Sequence, residues 1–224
     1  MKEAKINIEA SINIFINGSG KNKGKNPKER YASFDYCYNY FYSFYKNEQL
    51  RELVSDENIQ KSCLHLGFYL ASWGMYRGSS FLLERSSAFL KDLVISISKM
   101  NPKLWEIDVD SYTDDNIELL LDCKLQIVNA LGADYKPSDT LITKIMLGVF
   151  ANIPAFDKYF GDGFDIRTFN KKSLIKIKDF YDNNKAIIDG YKFYTYDFLT
   201  AKETNISYTK AKLIDMCGFI AVGA

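Results

Sequence analysis

The sequence predicts a mainly α-helical protein that forms one domain, with a short β element near its N-terminus. Apolar and aromatic residues recur at helical spacing from residue 31 onward, capping residues precede several of these segments, and apolar residues alternate with polar ones before residue 17. With 47% hydrophobic and 25% charged residues, the chain has enough apolar side chains to bury a globular core. We therefore expect one domain over 1–224, with a strand and loop region at 1–27 and a helical body at 28–224.

Near the N-terminus, isoleucine and alanine alternate with polar residues from residue 6 to residue 16. A spacing of two residues is typical of a strand. The following residues, 18–27, are rich in glycine, lysine and asparagine, which predicts an irregular loop. A phosphate-binding loop would need Lys followed by Ser or Thr after its last glycine, whereas Gly24 is followed by Lys25 and Asn26.

The helical body is divided by capping residues and prolines. Thr113 and Ser138 each precede an apolar periodic segment as helix N-caps do, and Gly132 is placed to end the first of the two. Asn152-Ile153-Pro154 separates the helix that carries Lys144 from the next one, near Asp157. The helix between Thr113 and Gly132 covers residues 117–131. Further helices are predicted over residues 31–45, 59–70, 82–100, 173–181 and 207–219, while residues 191–199 suit either a strand or a helix.

Several classes of protein are disfavoured by the composition. The four cysteines lie far apart and there is one histidine, so we expect reduced buried thiols and no metal site or cofactor. No apolar stretch reaches the length of a membrane span, and the first residues lack the pattern of a signal peptide. These observations predict a cytoplasmic protein that is not inserted in a membrane. A net charge of +1 allows a nucleic-acid partner through a local basic face, such as the basic segment 21–30.

Two aromatic segments are candidate binding surfaces. Residues 30–42 are dense in rings and carry Asp35, with Tyr38 one helical turn further on. Residues 65–80 place Trp73, Tyr76 and Arg77 close together beside glycines. An arginine next to aromatic rings can stack on a base or bind a phosphate, so these five residues are our candidate substrate contacts. The alternative is that the rings belong to the core and that Arg77 interacts with a helix C-terminus.

The segment 143–157 is the candidate catalytic site. Thr143 and Lys144 open an apolar helical run, and Pro154 precedes Asp157 near the start of the next helix. A helix and a short turn can bring the amine and the carboxylate to one cleft, and this pair of groups suits attack on C1′ of a sugar. In a working site we expect Asp157 to lie across the sugar and not to pair with Lys144, because a nearby carboxylate favours the protonated amine. The alternative is that Lys144 belongs to the polar face of its helix and that Asp157 only stabilises a helix N-terminus.

This Thr-Lys, apolar run and Pro-x-x-Asp pattern resembles the helix-hairpin-helix DNA glycosylases of the 8-oxoguanine type over about 20 residues. The family's glycine-rich hairpin is missing here, and the interval from lysine to aspartate is shorter. The resemblance implies that Lys144 forms a Schiff base with the sugar and that Asp157 supports the reaction. It also implies a hydrolase that binds DNA and carries out base excision.

The sequence therefore leads to three functional hypotheses. The first is a DNA glycosylase that excises a damaged or modified base, which would act in antiviral defence if the base came from phage DNA. The second is a non-catalytic module that binds nucleic acid or protein through an aromatic-rich surface. The third is a nucleotide or small-molecule enzyme that uses Arg77 and the loop at residues 18–25.

Overall fold

A computed structural model of the protein describes residues 6–20 and 23–223, with side chains up to residue 220. Most of this part of the chain is helical, which confirms the mainly α fold class. The α-helices are α1 Ile8–Asn17, α2 Ala32–Lys46, α3 Ile59–Ser72, α4 Lys91–Ile97, α5 Asp114–Leu131, α6 Asp139–Phe150, α7 Lys158–Phe164, α8 Lys171–Asn183, α9 Lys185–Asp189 and α10 Lys210–Gly223. Short 3-10 helices lie at Leu50–Val54, Phe81–Glu84, Ser87–Leu90, Pro102–Trp105, Val109–Ser111 and Ala133–Tyr135.

A buried apolar cluster connects these helices and extends from Ile8 in α1 to Ile220 in α10. Helix α10 packs against α7 and α1, while α2 packs against α3 and α6. All four cysteines are buried and free, as expected. None of the helices in the described part of the chain is long and apolar enough to cross a membrane.

The predicted N-terminal strand is wrong, because α1 occupies this segment. The side chain of Asn7 accepts a hydrogen bond from the backbone N–H of Ala10 at 3.0 Å and so caps the helix. Ile8, Ile12 and Phe15 then share one helical face and are at most 3% exposed. Because positions 8 and 12 belong to both a two-residue and a helical repeat, alternation alone did not distinguish the two structures. Residues 1–5, 21–22 and 224 lie outside the described residues.

The open assignment of residues 191–199 is resolved as a strand. Strand β1, Tyr194–Tyr196, pairs antiparallel with β2, Glu203–Ser207, and Tyr194 lies opposite Ser207. The hydroxyl groups of Thr195 and Thr204 also lie 2.6 Å apart across the pair. The predicted helix at 82–100 is interrupted, because two 3-10 turns precede α4.

The helices around the candidate site agree closely with the sequence. Thr113 accepts a hydrogen bond from the N–H of Asn116, and α5 ends at Gly132, which has φ of 90°. Ser138 accepts a hydrogen bond from the N–H of Leu141 and caps α6. These local signals fix the start of the helix that carries Lys144.

Candidate functional site

Lys144 lies inside the protein, in the second turn of α6. Every residue of α6 from Leu141 to Phe150 is buried, and Lys144 is 5% exposed. The interpretation that Lys144 lies on a polar helix face is therefore wrong. A buried lysine loses hydration, so its ammonium group needs compensating partners.

The turn between α6 and α7 is held in place by side chains from distant parts of the chain. Ala151 ends α6 in the left-handed region, with φ of 53°, and turns the chain back. Thr143 Oγ1 accepts a hydrogen bond from the N–H of Phe156 at 2.8 Å. Four more side chains donate hydrogen bonds to backbone carbonyl oxygens in this turn or just before it. The donors and acceptors are Thr140 and Phe156, Trp105 and Val149, Tyr112 and Asn152, and Thr209 and Ala151. We call residues 151–157 the catalytic turn because they lead to Asp157, a candidate catalytic residue, and these contacts fix the position of the turn.

The catalytic turn delivers Asp157 to Lys144. The carboxylate of Asp157 caps α7 by accepting a hydrogen bond from the N–H of Phe160 at 3.0 Å. Its other oxygen, Oδ2, lies 3.6 Å from Lys144 Nζ. The two groups are thus paired, contrary to our expectation that Asp157 would lie away from the amine. The hydrogen bond to Phe160 agrees with the alternative that Asp157 stabilises a helix N-terminus. This capping contact uses Oδ1, whereas the contact with Lys144 uses Oδ2.

Lys144 also joins α6 to the end of α3. Its ammonium group donates a hydrogen bond to the carbonyl oxygen of Trp73 at 2.9 Å. On α3, Tyr69 lies four residues before Trp73, the C-cap; on α6, Lys144 lies four residues before Gly148. Residues at this spacing share one helical face, so Trp73 faces Lys144 and Tyr69 faces Gly148. A Cβ atom on Gly148 would lie only 2.4 Å from the ring of Tyr69, so glycine permits this close approach of the two helices.

A second buried ion pair, which the sequence analysis missed, supports the first. Lys212 Nζ lies 2.8 Å from Asp215 Oδ2 on α10, and the Lys212 side chain is 2% exposed. Asp215 Oδ1 accepts a hydrogen bond from the N–H of Ala155 in the catalytic turn at 3.0 Å. The available sequence signal was a Lys and an Asp three residues apart in a helix that has one other charged residue, Lys210. The structure provides four charged side chains here, two of each sign.

Burial shifts the pKa values of both candidate catalytic groups toward their neutral forms. Burial lowers the pKa of the Lys144 amine, and the positive charge of Arg77 adds to this effect, while Asp157 and Asp215 oppose it. Burial raises the pKa of the Asp157 carboxyl, and the charge of Lys144 opposes the shift. The loss of hydration therefore outweighs the attraction between the two charges.

Trp73 and Arg77 lie beside this pair, whereas the hydroxyl of Tyr76 lies near Gly67 on α3. Trp73 Nε1 and the Tyr76 hydroxyl are buried and have no hydrogen-bond partner among the described residues. Arg77 is exposed, and its guanidinium lies against Gly74, where a Cβ atom would come within 2.6 Å of Nε. Gly74 has φ of 77°, so the turn after α3 depends on glycine.

Asp35 and Tyr38 are placed in a different part of the protein. Asp35 is fully buried and accepts hydrogen bonds from the N–H of Tyr196 at 2.9 Å and from the hydroxyl of Tyr208 at 2.6 Å. It thereby links α2 to β1 and to the segment before α10. Tyr38 stacks on Phe34, is 3% exposed, and contributes to an open groove of about 880 Å³. This groove and another of about 860 Å³ contain neither Lys144 nor Asp157.

Lys25 in the glycine-rich loop points inward. Its side chain is 3% exposed, and its ammonium group lies 3.5 Å from the centre of the Tyr196 ring and 3.4 Å from Glu203 Oε1. The rings of Tyr31, Phe34 and Phe41 are buried as well. The first aromatic segment therefore contributes mainly to the core.

No protein-family model, curated protein or solved structure matches this chain. Among the described residues, no group of three or more His, Cys, Asp or Glu side chains is arranged to hold a metal ion.

Proposed function

We propose that the protein is a DNA N-glycosylase that excises a damaged or modified base. The observation that supports this proposal is a buried amine, Lys144, whose Nζ lies 3.6 Å from the carboxylate of Asp157. Both groups are held by fixed elements, α6 and the N-terminus of α7. An amine nucleophile with an adjacent proton acceptor suits substitution at C1′ of a deoxyribose.

In this reaction the lone pair of neutral Lys144 attacks C1′ while the glycosidic bond breaks and its electron pair leaves with the base. Asp157 is ionised when the amine attacks, so it stabilises the positive charge that develops at C1′ and then accepts the proton that the attached amine releases. An ordinary lysine, with a pKa of about 10.4, is neutral in only about one molecule in 10³ at pH 7. The lowered pKa of Lys144 therefore increases the reactive fraction.

The target base must leave the duplex to reach Lys144, which costs a few kcal/mol. We assign the contacts of the extruded nucleotide to Trp73, Tyr76 and Arg77, with the rings against the base and Arg77 on a phosphate. The carbonyl of Trp73 accepts a hydrogen bond from Lys144, and the exposed Arg77 lies against Gly74, the next residue. Asp35 is left out of this set, because both carboxylate oxygens already accept hydrogen bonds inside the protein. Tyr38 is left out because it lines a different groove.

We extend the proposal to a cytoplasmic enzyme of antiviral defence, for which modified phage bases would be the substrates. The extension depends on the type of reaction, since base excision converts a modified viral genome into one with abasic sites.

The test is to incubate the protein with duplex and single-stranded oligonucleotides that carry damaged or modified bases, and to measure abasic sites. Lys144→Ala and Asp157→Asn should each abolish base release, and borohydride should trap an adduct with the wild-type protein only. Lys158→Ala and Asp162→Asn are matched controls, because this exposed pair lies on α7 with its charged atoms 2.7 Å apart. Base release that is unchanged in Asp157→Asn and Lys144→Ala would refute the assigned roles.

A non-catalytic binding module is the second candidate, and an exposed apolar turn favours it. Phe198 and Leu199, between β1 and β2, are 71% and 90% exposed. Binding to DNA with a steep salt dependence and without release of any base would select this function.

A further inference from the structure

A second guanidinium group, which the sequence analysis did not consider, lies against the ring of Trp73. Arg30 is exposed, and its Cζ lies 4.9 Å from the centre of the Trp73 ring. It also lies 5.7 Å from the ring of Tyr31 and 5.6 Å from that of Phe219. Stacking on aromatic rings restrains a guanidinium while its N–H groups remain directed outward.

Arg30 and Arg77 share a further property, which is the lack of an acidic partner. The ion pairs among the described residues involve neither of these arginines. Arg167, by contrast, pairs with Asp162 at 2.7 Å. Two exposed guanidinium groups without carboxylates have their donors available for an external anion.

Trp73 connects both arginines to the candidate nucleophile. Arg30 stacks on Trp73, whose carbonyl oxygen accepts the hydrogen bond from Lys144. Arg77 lies against Gly74, the residue after Trp73, and its charge acts on the Lys144 amine. Arg30 and Arg77 therefore lie on the two segments that adjoin Trp73, one before α2 and one after α3.

We propose that Arg30 and Arg77 form a clamp for two phosphates of a DNA strand, on either side of the nucleotide whose sugar is presented to Lys144. This inference rests on the proposed function and specifies its substrate as a phosphodiester chain, not a free nucleoside. Guanidinium groups bind phosphate oxygens in a bidentate manner, and such contacts position a strand without reading its sequence.

The test measures binding of the full-length protein to an unmodified 20-base-pair duplex by fluorescence anisotropy between 50 and 200 mM salt. Each lost phosphate contact should reduce the slope of log K against log salt by about 0.9. Between 50 and 200 mM salt, the fold-loss of affinity of the variant should therefore be about three times smaller than that of the wild-type protein. We expect this reduction in Arg30→Ala and in Arg77→Ala, and about twice this reduction in the double variant. Arg30→Lys should retain most of the slope, because it keeps the charge and loses only the planar stack.

Arg51→Ala is the matched control, because Arg51 is also exposed and has no acidic partner among the described residues, but it lines a different groove. The clamp would be overturned if the wild-type protein did not bind the duplex. It would also be overturned if the salt slopes of Arg30→Ala and Arg77→Ala equalled that of Arg51→Ala. Release of base from a free nucleoside as fast as from the oligonucleotide would overturn it too. A reduced slope without abasic sites on any substrate would retain the clamp and reject the glycosylase.

Discussion

The close approach of α3 and α6 leads to a quantitative prediction for Gly148→Ala. The new Cβ atom would lie 2.4 Å from Cε1 of Tyr69, whereas carbon atoms pack at about 3.5–4.0 Å, so one of the helices must move by about 1 Å. Tyr69 is 2% exposed, so protein atoms surround its ring. Overpacking of this kind costs about 1–3 kcal/mol, and the higher helix propensity of alanine offsets up to about 1 kcal/mol.

We therefore expect Gly148→Ala to lower the free energy of unfolding by about 1–2 kcal/mol, which corresponds to a decrease in Tm of roughly 2–8 °C for a protein of this size. Gly67→Ala is the control, because Gly67 is also a buried helical glycine but its added Cβ atom would lie 3.5 Å from Leu90, an ordinary contact. This variant should be unchanged or up to about 1 kcal/mol more stable.

Urea unfolding followed by circular dichroism provides the measurement. Gly148→Ala that is as stable as Gly67→Ala would contradict the packing described here. A double-mutant cycle with Tyr69→Leu should show a coupling of at least about 0.5 kcal/mol, because the smaller side chain makes room for the methyl group. If the protein releases bases, Gly148→Ala should also reduce that activity, since α6 carries Lys144 and would move away from Trp73.

Two further variants test the catalytic turn and the buried carboxylate. Thr143→Val should lose about 1–3 kcal/mol of stability in urea unfolding, because the buried N–H of Phe156 loses its acceptor. Thr143→Ser keeps the hydroxyl and should retain most of this stability. Equal losses in the two variants would refute the role of the hydroxyl as acceptor. Burial raises the pKa of Asp35 from 3.8 to about 6, so the folded protein binds the proton more tightly than the unfolded chain. The stabilisation from Asp35 is complete below pH 3.8 and is lost as pH rises through 6, by about 3 kcal/mol in total. Asp35→Asn should remove this part of the pH dependence in urea unfolding, and an unchanged pH dependence would refute the assignment.

The parts of the fold that the sequence predicted correctly depend on short-range signals. Thr113, Gly132 and Ser138 encode the ends of α5 and α6 within one helical turn. The closeness of Lys144 and Asp157 could also be predicted from the local sequence, since only the rest of one helix and one turn separate them. The failure at α1 has a local cause too, because its isoleucines suit both a strand and a helix and Asn7 decides between them.

The parts that the sequence did not predict depend on contacts between distant residues. Asp35 is a buried structural group because Tyr196 and Tyr208, more than 160 positions away, donate to it. The Lys212–Asp215 pair contacts the catalytic turn through Ala155, which is 60 positions before Asp215. The stacking of Arg30 on Trp73 also joins two segments that are separate in sequence. No local pattern specifies such pairs.

The anchoring of the catalytic turn has a consequence for local unfolding of the protein. Thr209 and Asp215 hold Ala151 and Ala155 across 58 and 60 positions of the sequence. Local opening of α10 would therefore release the backbone between α6 and α7, even while both of these helices stay intact. The distance between Lys144 and Asp157 thus depends on a helix that contains neither residue.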